Sequence, residues 1–212
     1  MVPIFETQAQ PSATQDKLNT MLDQLEKNLP AEQREGREYQ VLYVPQDTVN
    51  ALAIPGDRII IYKGLLAAAE SENEVAMVLG HELGHFANRD HLRGLSRQIV
   101  LNLALSSLIG DVGSLGAIAA NGATALSNAQ FSQKQEIQAD DVGLDLLAKT
   151  YGHAGGATDF FERMAKEEGP NLAILASHPP SEKRVKNIES RIEVAGYSVK
   201  AKEPLPEALE KE

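Results

Sequence analysis

Residues 81–85 read His-Glu-Leu-Gly-His, inside a stretch whose apolar residues, Val75, Val78, Leu79, Leu83 and Phe86, recur at helical spacing. No other segment limits the fold as strongly. Side chains four apart on a helix lie one turn above another, so His81 and His85 present two imidazoles to one point. Glu82 sits beside the first of them, where a carboxylate can take a proton from water held at a metal ion. The rest of the chain has to bring a third ligand, an orienting shell and a substrate groove to this helix.

The bulk properties narrow the options. A chain of 212 residues suits one domain with room for a sizeable core. A formal charge of -10 excludes nucleic acid as a partner, since phosphate binding needs clustered Lys and Arg. There is no cysteine, so zinc here must be held by His and carboxylate. The first 15 residues are polar and show no signal-peptide pattern. The apolar region 99–129 is broken by Asn102, Gly110, Asp111, Gly113, Gly116, Asn121 and Gly122, too often for a membrane span. It reads as a buried helical hairpin, an insert that serves as core, lid or docking element.

Along the chain, Thr14–Leu29 is an amphipathic helix with a stripe of Leu18, Met21, Leu22, Leu25 and Leu29. Three short strands follow at Tyr39–Val44, Val49–Ile54 and Arg58–Tyr62. Ser71 and Glu74 form a capping box that starts the motif helix, which ends near Asn88. Further helices are expected at about Ser132–Lys149, at Thr158–Glu168 and after the Ser177–Ser181 loop, the last one stopped by Gly196. The resulting division is an N-terminal leader and helix (1–30), a main domain (31–198) and a charged, flexible tail (199–212).

Two residues compete as third ligand. Glu136 shares a helix face with Asp140, so one carboxylate can bind metal while the other steadies a ligand histidine. His91 instead completes a run one residue away from the metzincin pattern, with Asn88 where that pattern has Gly. That pattern also expects a Met-turn, and the downstream Met164 sits in a regular amphipathic helix.

Four motifs in order resemble the gluzincin metalloendopeptidases that include HtpX-type, CAAX prenyl and Oma-type proteases. They are Asn50-Ala-Leu-Ala-Ile-Pro-Gly56, the metal helix from Glu74 to His85, Phe131 to Asp140 followed by Gly143-Leu, and Ser177-His-Pro-Pro with Arg184. The resemblance implies an α+β, mainly helical zincin-like fold with a small three-stranded antiparallel sheet and a metal-binding helix pair. It implies one zinc per chain held by His81, His85 and Glu136, with Asp140 supporting a histidine and Glu82 as general base. It also implies that an edge strand at Asn50, Ala51, Leu52 and Ala53 pairs with extended substrate. Unlike the membrane-bound members, this chain shows no segment that qualifies as a span.

The expected function is zinc-dependent hydrolysis of peptide bonds in extended or unfolded protein, with Glu82 acting on zinc-bound water. The oxyanion needs a donor beyond the metal, and His178, Arg184 and Tyr151 are candidates. His178 is read either as that catalytic donor or as a fourth ligand that keeps the enzyme latent. Arg184 is as well suited to a carboxylate such as Asp140. The alternatives are a latent protease opened by a partner, a zinc-stabilised chaperone-like binding module and, less favoured, a metzincin-type site using His91. A protein or peptide substrate is the expected partner, with a membrane-associated partner possible. The resemblance favours the cell envelope or periplasm, with any signal or anchor outside this sequence, and a complete chain would be cytoplasmic.

Overall fold

The structure is a computed structural model that describes residues 12–54, 56–90, 131–167, 172–174, 178 and 182–210. The 99–129 hairpin and His91 lie outside the described residues. The elements run α1 (Ala13–Glu26), α2 (Ala31–Arg34), β1 (Gln40–Val44), β2 (Ala51–Ile54), β3 (Arg58–Tyr62), α3 (Lys63–Ala68), α4 (Glu72–Ala87), α5 (Gln133–Tyr151), α6 (Asp159–Met164) and α7 (Glu182–Ala195).

The sheet order is β1-β3-β2. β2 pairs antiparallel with β3, as a hairpin must, but β1 pairs parallel to β3. The sheet is therefore mixed, which corrects the antiparallel expectation. The physical reason is burial. Ile59, Ile60 and Ile61 are fully buried, so β3 takes the centre, and a neighbour on its second side satisfies its outer backbone groups. α1 packs its Leu18, Met21, Leu22 and Leu25 stripe into the core. Its Gln15 donates to the Val41 carbonyl at 2.8 Å and accepts the Tyr43 N–H at 2.8 Å, closing the outer edge of β1.

α4 is buried along nearly its whole length, from Asn73 to Phe86. Ser71 caps it, accepting the Glu74 N–H at 3.3 Å. The reciprocal half of the expected box is absent: the Glu74 carboxylate accepts from the Glu70 N–H and pairs with Arg163 and Lys202. Being fully buried, it is satisfied by cations rather than by its own helix start. A complete capping box instead begins α5, between Ser132 and Gln135.

The stretch from 199, expected from composition to be flexible, makes specific contacts. The Glu72 N–H donates to the Glu203 carbonyl (3.1 Å), the Glu203 N–H donates to Asn73 Oδ1 (2.7 Å), and Leu209 is buried. It lies across the start of α4, where Asn73 and Glu74 offer polar groups that the helix itself leaves exposed.

α4 and α5 touch through backbone. A Cβ on Gly84 would lie 2.7 Å from the Ala139 Cα, and one on Gly143 would lie 2.9 Å from the His81 nitrogen. Neither position has room for a side chain. Replacing Gly84 with Ala gains about 1 kcal/mol of helix propensity but forces apart two backbones, at about 1–3 kcal/mol. The net expectation is a lower urea-unfolding midpoint for Gly84→Ala. An unchanged or raised midpoint would show that the helices separate freely.

Candidate metal centre

The close crossing sets His81 and His85, four apart on α4, against Glu136 and Asp140, four apart on α5. His178 arrives from the segment before α7. One donor atom from each of His81, His85, Glu136 and His178 lies within 4.8 Å of all the others, and all four residues are buried. His81 Nε2 is 3.1 Å from His85 Nε2. His178 Nδ1 is 3.2 Å from His81 Nε2 and 3.1 Å from Glu136 Oε1. Glu136 Oε1 is 3.4 Å from His85 Nε2, and its Oε2 is 3.7 Å from His81 Nε2.

The protonation pattern identifies what belongs at the centre. His81 Nδ1 lies 2.9 Å from Asp140 Oδ1, and His85 Nδ1 lies 3.0 Å from Asp90 Oδ2. An ionised carboxylate only accepts, so each ring carries a proton on Nδ1 and turns Nε2 to the centre. The two Nε2 atoms are 3.1 Å apart, a spacing at which a proton or a metal ion between them relieves the repulsion of facing lone pairs. Burial works against charge on His85, but the hydrogen bonds with Asp90 and Glu136 outweigh it and raise its pKa to about 9. Burial lowers that of His81. Burial pushes the Glu136 carboxyl up, yet its hydrogen bonds with His178 and His85 win and hold it well below the carboxylate range. The centre draws positive charge, and its donors suit a metal ion.

Arg184 holds the back of the site. Its Nε and Nη2 donate to Asp140 at 2.8 and 2.7 Å, and Nη1 is 2.6 Å from Glu136 Oε2 as an ion pair without hydrogen-bond geometry. Glu82 is buried, and neither of its oxygens has a hydrogen-bond partner among the described residues. Its Oε1 is 3.5 Å from His178 Nε2.

Of the residues expected from sequence, His81, His85, Glu82, Glu136, Asp140, His178 and Arg184 meet here. Tyr151 does not: its hydroxyl donates to Glu72 at 2.8 Å, at the opposite end of α4, because it closes α5 three turns beyond Asp140. Asn50, Ala51, Leu52 and Ala53 form the β2 edge, with Asn50 Oδ1 accepting the Ala51 N–H at 3.0 Å. Asn88, the turning point a metzincin needs, is right-handed with φ -81; the left-handed residue is Arg89, φ 56.

Sequence reasoning missed Asp90, Gln135 and Phe131. Gln135 donates to Asp90 at 2.8 Å, and the Phe131 ring stacks on His85 with centroids 3.9 Å apart. Only the aromatic and the amide flanking Glu136 hinted at them, and each alone is commonplace.

A helix bearing His-Glu-x-x-His, packed on a second helix that offers a glutamate, is the metal-centre layout of a metallopeptidase. Residues 12–192 match Peptidase family M48, and the chain belongs to that family. It is 37% identical over 160 residues to the metalloprotease LoiP of Escherichia coli, covering 73% of this chain and 63% of that protein. It is 34% identical over 158 residues to the mitochondrial metalloendopeptidase OMA1 of Arabidopsis thaliana, covering 72% and 31%. A putative β-barrel assembly-enhancing protease of Vibrio cholerae is 29% identical over 196 residues, covering 86% and 40%. The chain thus spans about a third to just under two thirds of the length of these relatives.

Arg184→Met strips a guanidinium from two buried carboxylates, Asp140 and Glu136. Breaking such a network is expected to cost about 3–5 kcal/mol, measured by urea unfolding of the metal-free chain. A loss below about 1 kcal/mol, the range of an exposed pair, would show that the guanidinium is not what offsets their burial.

Proposed function

We propose that the chain is a zinc metalloendopeptidase domain that hydrolyses peptide bonds in extended or unfolded protein. The observation that carries this is the cluster of His81, His85 and Glu136 donors with Glu82 beside it. Ligands about 2.0–2.1 Å from a tetrahedral zinc lie about 3.3–3.4 Å from one another; His81 to His85 is 3.1 Å, Glu136 reaches His85 at 3.4 Å and, through its other oxygen, His81 at 3.7 Å. When bound, zinc supplies Lewis-acid polarisation of the scissile carbonyl and a lowered pKa for water.

The chain's own residues do the rest. Glu82 accepts the proton of the attacking water and passes it to the leaving amine. Asp140, held by Arg184, keeps His81 in the tautomer that points Nε2 inward. Gln15 occupies the outer edge of β1, so β2 is the edge that suits an extended substrate. Pairing there through Ala51–Ala53 reads backbone more than side chains, which fits broad specificity. A chaperone-like binding module is disfavoured, because a buried Glu82 carboxylate with no hydrogen-bond partner among the described residues costs stability and would have no task there.

His178 supports a second feature. Its Nδ1 stands within coordination spacing of His81 and Glu136, so we assign it as a fourth donor that holds the site closed at rest. The partner is a protein or peptide substrate, with a membrane-associated partner possible. No helix among the described residues is long and apolar enough to cross a membrane. Relatives named for β-barrel assembly favour a cell-envelope setting.

Glu82→Gln is expected to keep stoichiometric zinc and to lose casein cleavage by about 10²–10⁴-fold; cleavage at the wild-type rate rejects Glu82 as base. Glu136→Gln is expected to purify with substoichiometric zinc, and a full complement would reject it as ligand. His178→Ala is expected to keep zinc and cleave casein severalfold faster. A fall of about 10²–10³-fold would instead assign it to the oxyanion.

A further inference from the structure

Asp140 behind His81 has an assigned role, whereas the carboxylate behind His85 has none so far. Asp90 stands in that place. α4 ends at Ala87, with Asn88 as its cap. Arg89, at φ 56, then turns the chain back, and its N–H donates to the Phe86 carbonyl at 2.9 Å. This turn carries Asp90 inward rather than on along the helix direction, and Asp90 is only 1% exposed. Its Oδ2 lies 3.0 Å from His85 Nδ1, and its Oδ1 accepts from Gln135 Nε2 at 2.8 Å. Gln135 is in turn held by α5: its Oε1 accepts the Ser132 N–H at 3.0 Å and the Ser132 hydroxyl at 2.8 Å. The next residue along α5 is Glu136. Phe131 stacks on the His85 ring at an interplanar angle of 18°.

We infer that Asp90 is the positioning residue of His85. It fixes the proton on Nδ1 and aims Nε2 at the metal, and Gln135 locks it to the helix that supplies Glu136. The inference rests on the metal reading of the site. A ligand imidazole whose second nitrogen is held by a carboxylate is oriented and made more basic as a donor, and losing such a partner typically weakens metal binding about 10–100-fold. The arrangement also closes a loop. The N-terminal capping box of α5 and the C-terminal turn of α4 meet at Asp90, so one hydrogen-bonded chain sets the positions of His85 and Glu136 together.

The test uses the full chain with zinc alone as probe. Zinc affinity is measured by chelator competition for wild type, Asp90→Asn, Asp90→Ala and Gln135→Ala, alongside the Tm of each metal-free protein. Asn has the same shape but one acceptor oxygen in place of two, so Asp90→Asn is expected to weaken zinc about 10-fold and Asp90→Ala about 100-fold. Gln135→Ala, at the surface end of the chain of bonds, is expected to show a smaller loss in the same direction, and it decides the matter if Asp90→Ala does not fold. Nitrogen-15 spectra of the zinc-loaded wild type should show the His85 proton on Nδ1, and Asp90→Ala should show a mixture. Zinc affinity within twofold of wild type in the variants overturns the inference. So does a His85 proton that stays on Nδ1 in Asp90→Ala as in wild type. Wild-type chain that takes up no zinc overturns the reading of the site itself.

Discussion

The crossing of α4 and α5 on bare backbone governs this molecule. With Gly84 set against Ala139 and Gly80 against Gly143, the two helices approach as closely as their main chains allow. Both carry their chemistry at a spacing of four, His81 with His85 and Glu136 with Asp140. Four residues on a helix advance about 6 Å, so the two pairs stay in step across the contact. Each donor then needs only its own length to reach a common point. Coordination tolerates errors of about 0.2 Å, and a Cβ wedged between the helices would consume several times that.

Such closeness concentrates charge. Glu82, Glu136 and Asp140 are all buried within a few residues of the crossing. A buried carboxylate is tolerable only when paired and hydrogen-bonded. Arg184 serves two of these at once, and because it projects from α7 it also fixes where that helix docks. The same logic repeats at the start of α4, where Arg163 and Lys202 meet the fully buried Glu74. The segment around 200 is therefore held by electrostatics at Lys202 as well as by the burial of Leu209, and its charged, Pro-containing sequence resembles a loose end.

Helix periodicity made α1, α4, α5 and α7 legible to within a few residues, and the three strands could be read from their β-branched runs. Strand direction was not legible. The central place of β3 follows from the burial of three consecutive isoleucines, but the direction of β1 beside it rests on the path of the connecting chain, which no local pattern signals. His81 with His85 and Glu136 with Asp140 stood out because each pair sits at fixed helical spacing in a motif. Asp90 did not, because it lies beyond the helix end, where the periodicity argument stops. Its position depends on the left-handed turn at Arg89, a residue type that rarely signals one. Phe131 and Gln135 acquire meaning only once His85 and Asp90 are in place. The capping box at Ser71 misled for a related reason: Glu74 suits the pattern, but tertiary cations compete for its carboxylate and win.

The four donors are not held alike, and the difference bears on chemistry. A site with four protein ligands is closed, whereas a catalytic one keeps a position for water. His81, His85 and Glu136 stand on long buried helices, and each has a partner behind it: Asp140, Asp90 and Arg184 respectively. His178 stands outside any helix, tied by its own N–H to the Ile174 carbonyl at 2.8 Å, and its Nε2 has no hydrogen-bond partner among the described residues. It is the one donor of the four that is on neither α4 nor α5. Its ring also lies beside Glu82, at 3.5 Å. On the proposed role of His178, a water in its place would stand next to the one carboxylate of the site whose oxygens have no hydrogen-bond partner among the described residues, so that opening the fourth position and supplying the base would be coupled.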